Sequence, residues 1–236
     1  MKILKAAAAI FIAATLAASC DNSSRYVLIQ GYAQGGTYSV KLNGEKGRIH
    51  KNAAVLKTEI DSILNVIDTT LSGYNKGSLL SRFNTGKSIP SARYDMFEDI
   101  YTRAYDYYEE TGGALDVASA PLFDLWGFGF TRDSLPSESQ VDAVRHSCGM
   151  ARLKRDMHTA VDAEGQLNPR NLLTDSAKVF VNADVTSPVK LNYNAIAQGY
   201  SCDVVADYLY SLGVKDMLVD IGEIYCDGVN QQGQPW

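Results

Sequence analysis

The sequence of 236 residues predicts an α+β protein, and this length is enough for one large domain or two small ones with a substantial core. Short segments rich in β-branched and aromatic residues indicate strands. Longer segments with apolar residues at three- and four-residue spacing indicate amphipathic helices. The two kinds of element follow one another without a regular βαβ alternation, which favours α+β over α/β.

Four strands are predicted towards the two ends of the chain. Residues 26–30 and 37–42 are separated by a turn at 33–36, whose sequence is Ala-Gln-Gly-Gly. Residues 217–221 and 224–226 are predicted to pair around a tight turn. The first and last parts of the folded domain are therefore both expected to contribute to a sheet.

Helices are predicted between these strands. Residues 53–71 and 94–110 have regular apolar stripes, and a Thr-Gly-Gly sequence ends the second helix. Residues 137–148 begin with Ser and have Gln three residues later, which is typical of a capping box. A fourth helix ends at Gly213. The polar stretch between the last two helices is predicted to contain short strands, notably near 179–181.

The N-terminus predicts export. A short basic region precedes an apolar run that is too short to span a bilayer, and small residues then lead to Cys20. This pattern resembles a bacterial lipoprotein signal, with residues 1–19 as signal peptide, lipidation at Cys20 and 20–25 as tether. The alternative is a plain secretory signal cut nearby. The lipoprotein interpretation predicts a membrane-anchored protein that faces the periplasm.

Several kinds of chemistry find no support in the sequence. The net charge of −5, without a long basic run, gives nucleic-acid binding no electrostatic support. The three His form no HExxH motif, and there is no GxSxG, GxGxxG or P-loop motif. Cys148, Cys202 and Cys226 are far apart and disfavour a zinc site. They form at most one disulfide, or remain three buried thiols.

The segment 191–213 begins like a strand and ends like a helix, with a small-residue elbow at 194–199 (Asn-Ala-Ile-Ala-Gln-Gly) between them. Small residues suit either of two structures. One is a strand-to-helix turn with close packing, and the other is a site where a ligand approaches the backbone at a helix N-terminus, which favours anions.

Three further segments have the composition of ligand-contacting loops. They are 31–38; 71–75 followed by 79–84; and 112–122 running into 125–129. Glycine pairs also occur in ordinary turns, and Trp126 is better suited to the core than to the wall of a ligand site. Each segment alone is therefore weak evidence for a ligand site.

Taken in chain order, these segments resemble the FAD:protein FMN transferase family, also called the ApbE lipoproteins, over about residues 26–236. The matching motifs are Gly35-Gly36-Thr37-Tyr38; Tyr74 ahead of Leu80-Ser81-Arg82-Phe83-Asn84; Gly113-Ala114-Leu115-Asp116; Pro121-Leu122; Trp126-Gly127-Phe128-Gly129; Ile196-Ala197-Gln198-Gly199-Tyr200; residues 218–224; and Gly233-Gln234-Pro235-Trp236.

The resemblance implies a single domain over 26–236, with a mixed or antiparallel sheet flanked by helices and a flavin cleft. It implies Mg²⁺-dependent cleavage of FAD, with transfer of FMN through a phosphoester bond to a Thr hydroxyl of an acceptor flavoprotein and release of AMP. The alternatives are an FAD pyrophosphate hydrolase, a non-catalytic exported FAD-binding lipoprotein, and a degenerate fragment without ligand.

The resemblance also implies the ligand contacts. Tyr74 corresponds to the residue that stacks on or beside the isoalloxazine, and Gln34 stands where the family often has Met beside the flavin. Ala114, Leu115 and Asp116 correspond to the lining of the adenosine or ribityl path, with Asp116 accepting from a hydroxyl.

The phosphate and metal contacts are implied in the same way. Gln198 stands where many members have Lys, so a cationic phosphate contact is replaced by a neutral donor. The backbone carbonyl of Ala195 corresponds to an Mg²⁺ ligand. In the family an Asp and a Thr beyond the Pro-Trp motif complete the metal site. The chain is therefore expected to lack a C-terminal part, and no catalytic residue is assigned within it.

Overall fold

The computed structural model describes residues 25–45, 49, 51–90, 95–128, 135–178 and 190–236. Within them the strands are β1 (Tyr26–Ala33), β2 (Gly36–Asn43), β3 (Ile89–Pro90), β4 (Gln166–Leu167), β5 (Met217–Asp220) and β6 (Ile224–Asp227). The main sheet is antiparallel throughout, in the order β1-β2-β5-β6, and β3 pairs with β4 separately. The two predicted hairpins thus join through β2 and β5.

The helices of the same residues are α1 (Ala53–Leu71), α2 (Leu79–Asn84), α3 (Asp95–Glu110), α4 (Ala120–Leu125), α5 (Glu138–Arg145), α6 (Asp175–Lys178) and α7 (Ala197–Ser211). Short 3₁₀ helices lie at Val117–Ser119, Met150–Arg152, Met157–Ala160 and Pro169–Leu172. No helix among the described residues is long and apolar enough to cross a membrane.

The core lies between the sheet and its helices. Alternation along β2 buries Tyr38, Val40 and Leu42, because successive side chains of a strand point to opposite faces. The apolar stripe of α1 packs against this sheet, and α7 contacts both α1 and the second hairpin. The buried positions of α1 recur at helical spacing: Leu56, Ile60, Leu64, Ile67 and Leu71.

An aromatic cluster ties the other helices to the segment before α7. Phe83 of α2 and Phe97 of α3 have ring centroids 5.4 Å apart, and Phe97 meets Tyr193 edge-on at 5.9 Å. All three side chains are almost completely buried. This packing fixes the position of Tyr193, which immediately precedes the elbow.

The structure confirms the α+β class and most of the predicted elements. α1 has the predicted bounds, and α5 begins after Ser137 with the predicted capping box but ends at Arg145. The predicted strands near 179–181 lie outside the described residues. The turn predicted at 33–36 is narrower, because β1 continues to Ala33 and β2 begins at Gly36, which leaves Gln34 and Gly35 as the turn.

Three interpretations of the sequence were wrong. Residues 79–84, interpreted as part of a ligand-contacting loop, form helix α2. Leu79, Leu80 and Phe83 are spaced so that they fall on one face of this helix and pack in the core. Trp126 is 47% exposed. The cysteines are not three buried thiols: Cys148, Cys202 and Cys226 are free, but only Cys202 is fully buried.

Two buried tyrosines in this core are expected to respond differently to loss of their hydroxyl groups. The Tyr101 hydroxyl donates to the Lys154 carbonyl over 2.6 Å, whereas the Tyr193 hydroxyl has no hydrogen-bond partner among the described residues. Tyr101→Phe should lower the free energy of unfolding by about 1 kcal/mol. Tyr193→Phe should leave it unchanged or raise it, as measured by urea denaturation. Equal losses in both variants would contradict this assignment.

Candidate functional site

The segment before the elbow is fixed by hydrogen bonds to two distant elements. The side chain of Asn84 accepts from the Leu191 amide and donates to the Leu191 carbonyl, each over 2.8 Å. The next residue, Asn192, donates its amide to the Val117 carbonyl over 2.8 Å. Three of the segments singled out in the sequence therefore meet at residues 191–192.

Tyr74 is fixed beside the elbow by its own loop. The Ser72 hydroxyl accepts from the amides of Tyr74 and Asn75, and the Ser78 hydroxyl donates to the Ser72 carbonyl over 2.6 Å. Across the gap, Asn194 Nδ2 donates to the Tyr74 hydroxyl over 2.9 Å. The Tyr74 side chain is nevertheless 56% exposed, so part of it faces solvent.

The first cavity, of about 500 Å³, lies between the β1–β2 turn, the end of α1 and the start of α7. Gln34, Tyr74 and Gln198 all line it, together with Asp68 and Asn194. It combines apolar walls with amide and carboxylate groups. A planar, partly polar ring system is the kind of ligand that such a mixture suits.

Gln34 is oriented from behind by α7. Its Nε2 donates to the Ser201 hydroxyl over 2.5 Å, and that hydroxyl donates to the Ala197 carbonyl over 2.7 Å. The backbone of Gln34 has a φ of 52°, and Gly35 follows at 81°. Two positive φ values are what a two-residue hairpin turn requires. Gln34 therefore occupies a turn position that favours glycine, and its side-chain amide lies at the edge of the first cavity.

Gln198 lies against the β5–β6 turn. A Cβ atom at Gly222 would be 2.6 Å from Gln198 Nε2, so the end of the Gln198 side chain lies directly against the Gly222 backbone. Gly222 also has a φ of 89°, which other residues rarely adopt. The turn of the second hairpin therefore leaves the space that the Gln198 side chain occupies.

The second cavity, of about 450 Å³, lies on the other side of the elbow. Leu115 and Ala195 line it, together with Arg103, Tyr107 and Glu223. Two of these five, Leu115 and Ala195, were predicted from the sequence. Its wall is more strongly charged than that of the first cavity.

Arg103 and Asp203, which line the second cavity, belong to an ionic group on α3 and α7. Arg103 lies 3.2 Å from Asp99 and 3.8 Å from Asp203, and its guanidinium lies over the Tyr200 ring at 5.6 Å. Burial raises the pKa of the Asp203 carboxyl, and Arg103 offsets part of that rise. Burial also raises the pKa of the Cys202 thiol to about 11, so it stays protonated at neutral pH.

The elbow forms the ridge between the two cavities and has unpaired backbone groups. Asn194 and Ala197 face the first cavity, and Ala195 and Ile196 face the second. No side chain caps α7, and no described residue accepts from the amides of Gln198 or Gly199 or donates to the Ala195 carbonyl. A helix N-terminus with free N–H groups favours anions.

The small size of the elbow residues does not result from close packing at Gly199. Apart from its two neighbours in the chain and the nearby backbone of α7, no described atom lies within 4 Å of the position that a Cβ on Gly199 would occupy. Of the two structures considered for the elbow, the close-packed turn is therefore not supported at this residue. The surface beside the helix start is open to a ligand.

Five of the predicted site residues line the two cavities. Gln34, Tyr74 and Gln198 share the first cavity, and Leu115 and Ala195 share the second. Ala114 is exposed and lines neither. Asp116 caps the 3₁₀ helix: its carboxylate accepts from the amide of Ala118 at 2.9 Å and of Met150 at 3.1 Å. Cys20 lies outside the described residues.

Sequence reasoning missed Asp68 and Arg103 as site residues. Asp68 lies in the last turn of α1, where the helix dipole disfavours a carboxylate, and this was a usable signal. Arg103 follows the buried Ile100 by three residues, which places a cation at the edge of an apolar stripe. Both signals are weak without knowledge of which elements meet.

The described residues supply only part of a metal site. They contain no group of three His, Cys, Asp or Glu side chains that could hold an ion. The Ala195 carbonyl is an oxygen donor of the type that Mg²⁺ accepts, and it has no partner among the described residues. By themselves these residues do not fit a complete magnesium site.

The described residues form an α+β fold with two cavities on either side of an uncapped helix start. The sequence matches the ApbE family over residues 34–236, and the chain belongs to that family. The resemblance predicted from the motifs is thereby confirmed.

Individual relatives agree with this assignment. The chain is 33% identical over 225 residues to a Vibrio cholerae protein named FAD:protein FMN transferase, covering 94% of this chain and 60% of that protein. The solved flavin transferase ApbE from Vibrio cholerae matches with a TM-score of 0.69 at 30% identity, over 89% of this chain and 62% of that one.

A second solved structure, the apo form of Pseudomonas stutzeri flavinyl transferase ApbE, also has a TM-score of 0.69, at 28% identity. The match covers 89% of this chain and 60% of the Pseudomonas stutzeri chain. The chain spans 60% to 65% of the length of the first curated relatives that it matches.

Asn84 is expected to control the site through the backbone of Leu191. Asn84→Ala removes both hydrogen bonds and leaves a buried amide and carbonyl unpaired, so the free energy of unfolding should fall by about 2 to 4 kcal/mol. On the function proposed in the next section, FAD affinity should fall with it, even at temperatures where the variant is folded. Asn171→Ala, an exposed change outside both cavities, is the control. Unchanged FAD affinity in folded Asn84→Ala protein would contradict this role.

Proposed function

We propose that this protein transfers FMN from FAD, in a reaction that requires Mg²⁺, to a Thr hydroxyl of an acceptor flavoprotein and releases AMP. The observation that carries the proposal is the elbow, a ridge with free backbone groups between two cavities. FAD has two bulky ends joined by a pyrophosphate. Its isoalloxazine end would occupy the first cavity and its adenosine end the second, which leaves the pyrophosphate over the elbow.

Each cavity has groups that suit the end of FAD proposed to occupy it. Tyr74 offers an exposed ring for stacking, and Gln34 offers an oriented amide at the cavity edge. On the other side, Arg103 and Tyr107 line a space beside Leu115 for the adenosine. The free amides at the start of α7 favour the phosphate charges between them.

The proposed transfer forms one bond to phosphorus and breaks another. The Thr oxygen forms a bond to the riboflavin-side phosphorus, and the bond from that phosphorus to the bridging oxygen breaks. AMP leaves with the bridging oxygen, and the Thr proton is released. Magnesium, when bound, would neutralise charge on the phosphate oxygens, with the Ala195 carbonyl as one of its ligands. The chain's own contribution is to position the two ends of FAD and exclude other orientations.

One observation favours a second candidate function. Gln198 is neutral where many family members have Lys, so the phosphates would lose a charge-assisted hydrogen bond. Without this contact the chain would bind FAD but not cleave it, and the protein would be an exported flavin carrier. Hydrolysis of FAD to FMN and AMP is a third outcome of the same geometry, with water in place of the acceptor Thr.

The proposal includes export. The basic and apolar N-terminal region followed by Cys20 supports a lipid-anchored protein that faces the periplasm. There the acceptor would be an exported flavoprotein or an exported domain of one. Membrane attachment would come from the lipid at Cys20.

The transfer reaction is tested by mixing the chain with FAD, Mg²⁺ and a Thr-bearing acceptor domain. The expected result is flavin fluorescence that stays on the acceptor in a denaturing gel, with AMP released in equal amount. An acceptor with Val in place of the Thr is the matched control. AMP release without labelling would indicate a hydrolase, and retained FAD without AMP would indicate a carrier.

Gln198→Lys is expected to strengthen FAD binding. A cation at this position would make a charge-assisted hydrogen bond to phosphate, and we expect an affinity gain of about tenfold at low salt, equivalent to about 1.4 kcal/mol. Gln198→Met keeps a side chain of similar length without a polar donor and should weaken binding. Quenching of FAD fluorescence at two salt concentrations measures both effects. A gain that does not shrink with added salt would contradict an electrostatic origin.

A further inference from the structure

We propose that a third cavity, next to the first, binds an extended acidic segment of the acceptor protein that carries the target Thr. This inference rests on the proposed function, because it assigns the docking surface for the second substrate. The third cavity, of about 640 Å³, lies between the Tyr74 loop, α2, α4 and residues 190–194.

The third cavity is basic on a protein that is acidic as a whole. Among the described residues, its lining contains the cations of Lys76, Arg82, Lys87 and Lys190 but only one carboxylate, Asp124. The net charge of the chain is −5. A positive cleft on a negative protein directs binding towards acidic partners and disfavours the rest of the surface as a docking site for them.

These cations are available for an interaction. Lys190 lies 3.5 Å from Asp124, which is a loose pair. In the part of the chain that the structure describes, no carboxylate pairs with Lys76, Arg82 or Lys87. Arg82 donates from Nε to the Ser88 carbonyl, so its remaining N–H groups still face outward from an exposed side chain. Surplus positive charge of this kind is compensated when an acidic partner binds.

An exposed aromatic rim borders the same cavity. The rings of Phe123 and Phe128 are 5.7 Å apart, and their side chains are 38% and 68% exposed. Trp126, between them in sequence, is 47% exposed. Exposed aromatic side chains next to charged groups are typical of protein contact surfaces, because they provide the apolar area that a peptide buries. The combination suits a polypeptide better than an isolated anion.

The third cavity adjoins the place where the acceptor must react. Tyr74 and Asn194 line both it and the first cavity, and a single hydrogen bond of 2.9 Å joins them. A segment in the third cavity would therefore be separated from the flavin-binding space by one pair of side chains. A Thr in such a segment could approach the elbow without displacing FAD from the first or second cavity.

The test measures peptide binding and FAD binding separately on the full chain in detergent. Two short fluorescein-labelled peptides each contain one Thr; one has Asp on both sides of it, and the other has Asn at the same positions. The double variant Lys76→Glu/Lys87→Glu is compared with Arg145→Glu/Lys215→Glu, which has the same net charge but lies outside the cavity. Fluorescence polarisation reports the peptide, and flavin quenching reports FAD.

We expect the Asp peptide to bind at least about tenfold more tightly than the Asn peptide, since each tenfold corresponds to about 1.4 kcal/mol. The Lys76→Glu/Lys87→Glu variant should lose this preference and keep its FAD affinity, whereas the control variant should keep both. Labelling of an acidic acceptor should then show a raised KM in the first variant only.

Three results would overturn the inference. Equal binding of the two peptides would mean that the cavity does not select an acidic partner. Equal loss of the preference for the Asp peptide in both double variants would mean that only net charge matters. Loss of FAD affinity in Lys76→Glu/Lys87→Glu would assign the cavity to FAD itself. A chain that binds the Asp peptide but no FAD would instead overturn the proposed function and leave the acidic docking surface in place.

Discussion

The site depends on one short piece of backbone, residues 191–192. Asn84 binds the Leu191 amide and carbonyl from α2, and Asn192 is bonded to the Val117 carbonyl. Tyr193, the next residue, is buried against Phe97. The chain therefore enters the elbow from a fixed position, and the elbow needs no side-chain cap to define where α7 begins. Its backbone groups can remain free for a ligand because the neighbouring residues supply the order.

The two cavities follow from this fixed entry. The elbow passes between the β1–β2 turn and α3, so one side faces Gln34 and the other faces Arg103. On the first side the polar groups are neutral amides with one carboxylate, Asp68. On the second side they form an ionic group around Arg103. A ligand with a planar apolar end and a polar end can use this difference, because each end is favoured in only one cavity.

Charge is distributed unevenly over the same region. The protein is acidic overall, but cations collect around the third cavity, and the start of α7 adds the partial positive charge of a helix N-terminus. Phosphates and an acidic partner would thus approach one face from two directions. Gln198, which lines the first cavity near the start of α7, adds no charge there.

The sequence by itself determined the family, the α+β class, and the bounds of elements with strong local signals, such as α1 with its apolar stripe and the capping box at Ser137. Local periodicity and capping depend on neighbouring residues, so they can be recognised without the fold. Only the tertiary structure decided that Gln34, Tyr74 and Gln198 share a cavity, that Asp116 serves as a cap, and that residues 79–84 pack as a helix. The Asn84–Leu191 contact joins residues that are 107 positions apart, and such a contact depends on the packing of whole elements rather than on any local pattern.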